Sequence, residues 1–309
     1  MCQILDKIFD SYAYGPMTND TKQSRSLGES NGEAGKRAGS HEFAPPDLTE
    51  KALKAAFEGA DRAGEILKKY YGRLTSVDEK FQAGLVSEAD RDSEAAIKTV
   101  LSREFPQHQI LGEETGLSGS SNADSAIWMI DPLDGTTNYV HRVPFFCSSL
   151  GFEYRGQLEV AVVDAPAMGW RYHAVRGQGA FLNGQPIKIS GREQFREGLF
   201  ATGFSSADNT LDVQMELVAH VIHHARGIRR LGAAALDLCM VAEGVFDGFW
   251  ERGLQPWDTA AGVLIAREAG ALATDFKGRE FDPRMPSVVC ATPRHHSELM
   301  KILKRVDRV

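Results

Sequence analysis

The apolar positions of this chain follow two periods. Leu53, Ala56, Phe57, Ala60, Ala63, Leu67 and Tyr70 recur at helical spacing and trace one helix face, which Gly72 ends. A second helix is predicted from Ser87 to Phe105, with Ala96, Ile97, Val100 and Leu101 inward and Pro106 beyond its stop. Period-two and continuous apolar runs then take over at 127–130, 145–154, 158–164, 169–175 and 180–189. Gly and Asn-Gly punctuate them, which predicts a meander of mostly antiparallel strands. Past Leu199 the pattern mixes helices over 211–224, 233–242, 259–269 and 295–306 with strands over 246–251 and 288–291. The lack of strict βα alternation argues against a TIM barrel or a simple Rossmann fold. No internal repeat is visible.

The first residues read differently. Ile4, Leu5, Ile8 and Phe9 allow a short amphipathic helix within 1–15. Residues 16–46 are nearly devoid of hydrophobes and read as a linker, either a flexible tail or a docking arm. Residues 1–46 are therefore an N-terminal extension, and a folded domain is expected over 47–309.

Composition narrows the function classes. The 309 residues carry 35 Lys+Arg against 42 Asp+Glu, a net charge of -7, and are 42% hydrophobic. That is an ordinary globular balance with no basic block, so no nucleic-acid partner is expected. No apolar run approaches the roughly 20 residues of a membrane span, and the charged N-terminus does not read as a secretory signal. The four cysteines, Cys2, Cys147, Cys239 and Cys290, form no CxxC pair. Three of them lie in apolar surroundings as reduced core residues, which points to a cytoplasmic compartment.

Candidate chemistry concentrates in Trp128-Met-Ile-Asp131-Pro132-Leu133-Asp134-Gly135-Thr136-Thr137-Asn138. An apolar strand delivers two carboxylates, three residues apart, into a turn set by Pro132 and Gly135. Strand alternation alone would put them on opposite faces, and a turn after Asp131 can bring both to one point. Crowded carboxylates repel, and one is forced to keep its proton unless a cation lies between them. Hard oxygen ligands followed by Gly135, Thr136 and Thr137 suit Mg2+ bound together with a substrate phosphate; a structural Asx turn is the alternative. Glu113-Glu114 and Asp258 add acidic groups. Taken singly, the first reads as a solvated loop and the second as a helix N-cap. His220, His223 and His224 share a helix face without a carboxylate motif and read as solvated. Gly177-Gln-Gly179 reads as a hairpin turn, and Arg229-Arg230 either faces the site or solvates a helix start.

Together, Gly112-Glu113-Glu114, the Trp128–Asn138 run and Trp257-Asp258-Thr259-Ala260-Ala261-Gly262 resemble the inositol monophosphatase family, from about Leu48 to the C-terminus. The resemblance implies an α/β fold layered αβαβα, as in fructose-bisphosphatase, with an α+β half over 47–190 and an α/β half over 191–309. It implies a Mg2+-dependent phosphate monoester hydrolase, most simply releasing myo-inositol from its 1-phosphate, and a homodimer. Histidinol phosphate, fructose bisphosphate and adenosine 3′,5′-bisphosphate are rival substrates, and a binding role with the transcription machinery is the alternative of another class. Site roles follow by position. Glu113 would bind the first Mg2+ and a weaker third, and Asp131 would bridge two. The Leu133 carbonyl would complete the first site, and Asp134 and Asp258 would hold the second metal. Gly135 and Thr136 would bind phosphate, and Asp90 would pair with Thr136 to orient the attacking water. Glu251 and Ala234 would contact the polyol. The chain departs from the family at Gly84, where Asp is usual, and at Lys80, a loose match to a mobile-loop lysine.

Overall fold

The computed structural model describes residues 43–80, 84–119, 125–204 and 211–306. The expected helix over 1–15, the linker through 42, Cys2 and the side chain of Lys80 lie outside the described residues. Five layers alternate, helices outermost.

Helix α1 (Pro46–Tyr70) opens with Pro at its first position and buries a face of small residues, among them Ala52, Ala56, Ala60 and Ala63. Small side chains let it lie close to α2 (Glu88–Glu104), and a short hairpin, β1 (Val77–Lys80) and β2 (Gly84–Ser87), connects the two. Both helices cover one face of a sheet built from β3 (Gln109–Gly112), β4 (Gly116–Ser118), β5 (Ile127–Asp134), β6 (Cys147–Tyr154), β7 (Gln157–Ala165), β8 (Trp170–Val175), β9 (Ala180–Leu182) and β10 (Gln185–Ile187). Its order among the described residues is β10-β9-β8-β7-β6-β5-β3-β4. From β5 to β10 it is the expected antiparallel meander, while β3 runs parallel to β5.

The other face of this sheet packs on α5 (Ala234–Ala242) and α6 (Pro256–Glu268) through a core that includes Met129, Val163, Leu238 and Ile265. A second sheet closes over those helices, in the order β12 (Gly227–Arg229), β11 (Leu199–Thr202), β13 (Gly248–Arg252), β15 (Ser287–Ala291), β14 (Leu272–Thr274). Helices α4 (Leu211–His224) and α7 (Pro293–Val306) cover its far side around Phe200, Leu217, Trp250 and Leu299. The order helix, sheet, helix, sheet, helix is the expected αβαβα layering.

Four local differences have physical reasons. The strand expected to stop at Ile130 runs on to Asp134, and its pairing with β6 shifts between Asp131 and Asp134. Pro132 has no N–H to give to a ladder, so the chain bulges there instead of ending. The run 180–189 is two strands folded at Asn183-Gly184, not one. The one-turn helix α3 (Thr136–Val140) and strands β1, β2, β4, β11, β12 and β14 were not predicted; each is five residues or fewer. In α2 the inward stripe begins with Asp90, Ser93 and Glu94, and Ala96 is only half-buried. No described helix is long and apolar enough to cross a membrane. Cys147, Cys239 and Cys290 are free and buried, as expected.

Candidate active site

Sheet register assembles the acidic centre. In the parallel pair β3–β5, Gly112 lies opposite Ile130, so the next residues, Glu113 just past β3 and Asp131 within β5, come side by side. The Glu113 N–H donates to the Ile130 carbonyl at 3.2 Å. On the other flank Asp131 pairs with Ser149 of β6. The Ser149 hydroxyl donates to the Trp257 carbonyl at 3.0 Å, which brings the first turn of α6, and with it Asp258, toward Asp131.

Asp131 is buried, and its Oδ1 accepts the Leu133 N–H at 2.9 Å. The Asx turn is thus present, and it leaves Oδ2 outside this backbone bond. Burial, then the charges of Glu113, Asp134 and Asp258, push its carboxyl well above the ordinary carboxylate range. Asp134 faces the N-terminus of α5, where Ala235 N–H donates to Oδ2 at 2.7 Å and Ala234 N–H to Oδ1 at 3.3 Å. A helix without a capping side chain of its own is thereby capped by a carboxylate a hundred residues earlier. Burial still prevails and raises Asp134 to about 7. Asp258 is not the N-cap that its isolated reading suggests: α6 starts at Pro256 after the N-cap Gln255, and Asp258, its third residue, reaches back so that Oδ2 accepts the Gln255 N–H at 2.7 Å.

The turn that follows Asp134 is equally fixed. Gly135 has φ of 92° and starts α3, and a Cβ there would lie 3.0 Å from the Phe145 carbonyl oxygen. Thr136 Oγ1 lies 3.1 Å from Asp90 Oδ1 and 3.0 Å from the Leu133 carbonyl oxygen, so its single proton serves one of them at a time. Asp90 is fully buried at the third position of α2, where its Oδ2 accepts from the Ser87 N–H at 2.8 Å and the Ser87 hydroxyl at 2.6 Å. Burial raises the Asp90 carboxyl above its ordinary value against the pull of those two bonds. Asn138 adds a link that sequence reasoning missed: its amide donates to the Phe145 and Leu231 carbonyls, both at 2.7 Å, and ties this loop to the segment leading into α5.

Glu251 leaves β13 on the same side, and its carboxylate occupies the space where a Cβ on Gly203 would stand. Burial, then Asp258 and Asp134, raise it to about 8, while Arg230 pulls it down. Arg230 therefore belongs to the surroundings of the site, with its guanidinium also on the Phe204 carbonyl at 3.0 Å. Two other motifs stay apart. His223 and His224 are exposed in the last turn of α4. The Gly177-Gln-Gly179 turn is pinned by Glu268, which accepts both glycine N–H groups at 2.9 and 2.8 Å.

The donors at the centre are hard oxygens and a backbone carbonyl, the chemistry of a Mg2+ site. Among the described residues no three His, Cys, Asp or Glu side chains are already closed around one metal-sized position. Asp131, Asp134 and Asp258 each spend oxygen on a backbone N–H instead. Their mutual repulsion is what a cation would relieve. The sign with pH follows. A carboxyl raised on folding binds more protons folded than unfolded, so the cation-free protein loses stability as pH climbs from about 4 toward and through the folded value, here about 7 for Asp134. Below that value a cation must displace protons. The Mg2+-induced rise in Tm is therefore expected to be larger at pH 8 than at pH 6, with proton release measured by calorimetry in buffers of different ionisation heat. Equal Tm shifts and no proton release at pH 6 would remove these carboxyls from cation binding.

Comparison with known proteins shows what the chain is similar to. The model of the inositol monophosphatase family matches residues 48–308. The Nus factor SuhB of Pseudomonas aeruginosa is 44% identical over 232 residues, covering 73% of this chain and 86% of that protein. An inositol-1-monophosphatase of Synechocystis is 38% identical over 263 residues, 84% of this chain and 91% of that protein. The crystal structure of the extragenic suppressor protein suhB from Bartonella henselae matches with a TM-score of 0.79 at 35% identity, covering 82% of this chain and 98% of that one.

Proposed function

The chain belongs to the inositol monophosphatase family and is a phosphoric monoester hydrolase, and from that premise we propose that it is Mg2+-dependent and acts on myo-inositol 1-phosphate or a similar polyol phosphate. The observation that carries this reading is the meeting of Glu113 just past β3, Asp131 and Asp134 in β5 and Asp258 in the first turn of α6, joined by the Glu113 N–H on the Ile130 carbonyl and the Ser149 hydroxyl on the Trp257 carbonyl. Glu113, Asp131 and the Leu133 carbonyl would hold one Mg2+, and Asp131, Asp134 and Asp258 a second. When bound, Mg2+ supplies charge to the phosphate oxygens and lowers the pKa of coordinated water.

The chain's own groups do the rest. Gly135 and Thr136, at the start of α3, bind phosphate oxygens. The Thr136 hydroxyl and Asp90 orient the attacking water, and Asp90, buried and raised, is placed to receive its proton through Thr136. The water oxygen bonds to phosphorus as the ester P–O bond breaks in line, and the departing alkoxide takes up a proton from solvent water. Glu251 accepts a hydroxyl of the polyol, and Ala234, beside Asp134 at the mouth of α5, lies against its ring. The catalytic domain is the 47–309 segment, working as a homodimer. Release of phosphate from a panel of monophosphates, with and without Mg2+, tests the reading, and no Mg2+-dependent release from any of them would overturn it. A second role, association with the transcription machinery, is favoured by the Nus factor name of the P. aeruginosa relative. That role alone would survive in a chain with no phosphatase activity.

Glu251→Gln checks the substrate class. A charge-assisted hydrogen bond is worth about 1.5–3 kcal/mol, so kcat/KM for inositol 1-phosphate is expected to fall roughly ten- to a hundredfold. The assay belongs well above pH 8, where the wild-type carboxyl, raised to about 8 in the cation-free protein, is mostly ionised. A small aryl phosphate offers no hydroxyl and should be hydrolysed as before. Equal losses on both substrates would assign Glu251 to the metals or the fold.

A further inference from the structure

Two buried carboxylates stand one helical turn apart on α2. Asp90 reaches Thr136, and Glu94, 1% exposed, reaches the turn that carries Glu113. Glu94 Oε2 accepts the Glu114 N–H at 2.8 Å, and Oε1 accepts the Thr115 N–H at 3.1 Å together with the Thr115 hydroxyl. That hydroxyl in turn accepts from Lys98 Nζ at 2.7 Å, so a positive charge is relayed to the buried carboxylate through Thr115. Gly112 makes the approach possible, since a Cβ there would stand 2.7 Å from the Glu94 carboxyl carbon. A buried charge is tolerated only where donors replace its water, and here three donors of one turn do so. The turn is thereby held twice. Glu113 N–H is on the Ile130 carbonyl of β5, and the next two N–H groups are on Glu94.

We propose that Glu94 is a positioning residue for cation binding, which fixes the turn from Glu113 to Thr115 so that the Glu113 carboxylate stays against Asp131 and the affinity for Mg2+ is set from α2. This rests on the reading of Glu113 as a metal ligand. Gln at position 94 keeps the length but turns an NH2 group toward N–H donors, so at least one of the three bonds is lost and the turn loosens. Glu94 touches neither phosphate nor water in this scheme, and its effect falls on Mg2+ affinity, not on the chemical step.

The test is calorimetric titration of the substrate-free full chain with Mg2+, alongside the Mg2+ dependence of kcat. Loss of a group that orients a ligand weakens metal binding by about ten- to a hundredfold. Glu94→Gln is expected to raise the Mg2+ Kd by that factor, with kcat recovered at saturating Mg2+. Gly112→Ala, which keeps the carboxylate but displaces it, should shift Kd the same way and serves if Glu94→Gln does not fold. A folded Glu94→Gln or Gly112→Ala protein with lowered Tm and unchanged Kd would make the contact structural only and overturn the proposal. Glu113→Gln separates the premise: if it weakens binding while the other two do not, the positioning role fails. If it too leaves Kd unchanged, Glu113 is no ligand and the proposal falls with that reading.

Discussion

Asp131→Asn is expected to abolish phosphate release, by at least about a thousandfold in kcat, while leaving the fold intact. The turn should survive because the amide oxygen can still accept the Leu133 N–H that Oδ1 now accepts at 2.9 Å. What disappears is a charge shared by both proposed metal positions. Asp131 is buried beside Glu113, Asp134 and Asp258, and in the cation-free protein it is held well above the ordinary carboxylate range. Removing it there relieves repulsion, so the cation-free Tm should hold or rise. The Mg2+-induced gain in Tm should vanish together with activity. Phosphate release and thermal melts with and without Mg2+ check both halves. Near-normal turnover at saturating Mg2+ would sink the assignment of this centre.

The acidic centre was legible because its spacing is local. Asp131, Pro132 and Asp134 sit within four residues, and the need to bring two carboxylates of one strand together already implied an irregularity there. The physical device was misread as a strand end; it is a bulge inside β5 where Pro132 has no N–H to pair. Asp258 was misplaced as the N-cap of α6; it is the third residue of that helix, bonded back to the Gln255 N–H, and also a neighbour felt by Asp131. What the sequence hid is long-range. Glu94 looks like one more charge in Glu88-Ala-Asp-Arg-Asp-Ser-Glu94, and only its partners, 20 and 21 residues away, make it a buried clamp. The i, i+4 spacing from Asp90 was the available signal. Asp134 capping α5, and Asn138 reaching Leu231, likewise join segments some ninety to a hundred residues apart. Strands β11, β12 and β14 have four residues or fewer and no period to read; their identity comes from pairing in the sheet around β13 and β15.

Asp90→Asn is expected to lower kcat by roughly a hundred- to ten-thousandfold, the range of a lost general base, with little change in Mg2+ affinity. The geometry decides how the amide must sit. Asp90 Oδ2 accepts both the N–H and the hydroxyl of Ser87, at 2.8 and 2.6 Å, in the capping box that starts α2. The asparagine oxygen has to take that position, because an NH2 group facing two donors would break the cap. The NH2 group is then turned toward Thr136 Oγ1, where Oδ1 now stands at 3.1 Å. The threonine hydroxyl becomes an acceptor from that amide and swings its proton toward the Leu133 carbonyl, 3.0 Å away. It can no longer pass a proton from water to the side chain on α2. The loss therefore belongs to the transition state and should appear in kcat with KM nearly unchanged. Thr136→Ala is the partner measurement. If the two groups act as one relay, the double variant should be little worse than either single one. Fully additive losses would separate them, and a pure KM effect in Asp90→Asn would move Asp90 from water activation to ground-state binding.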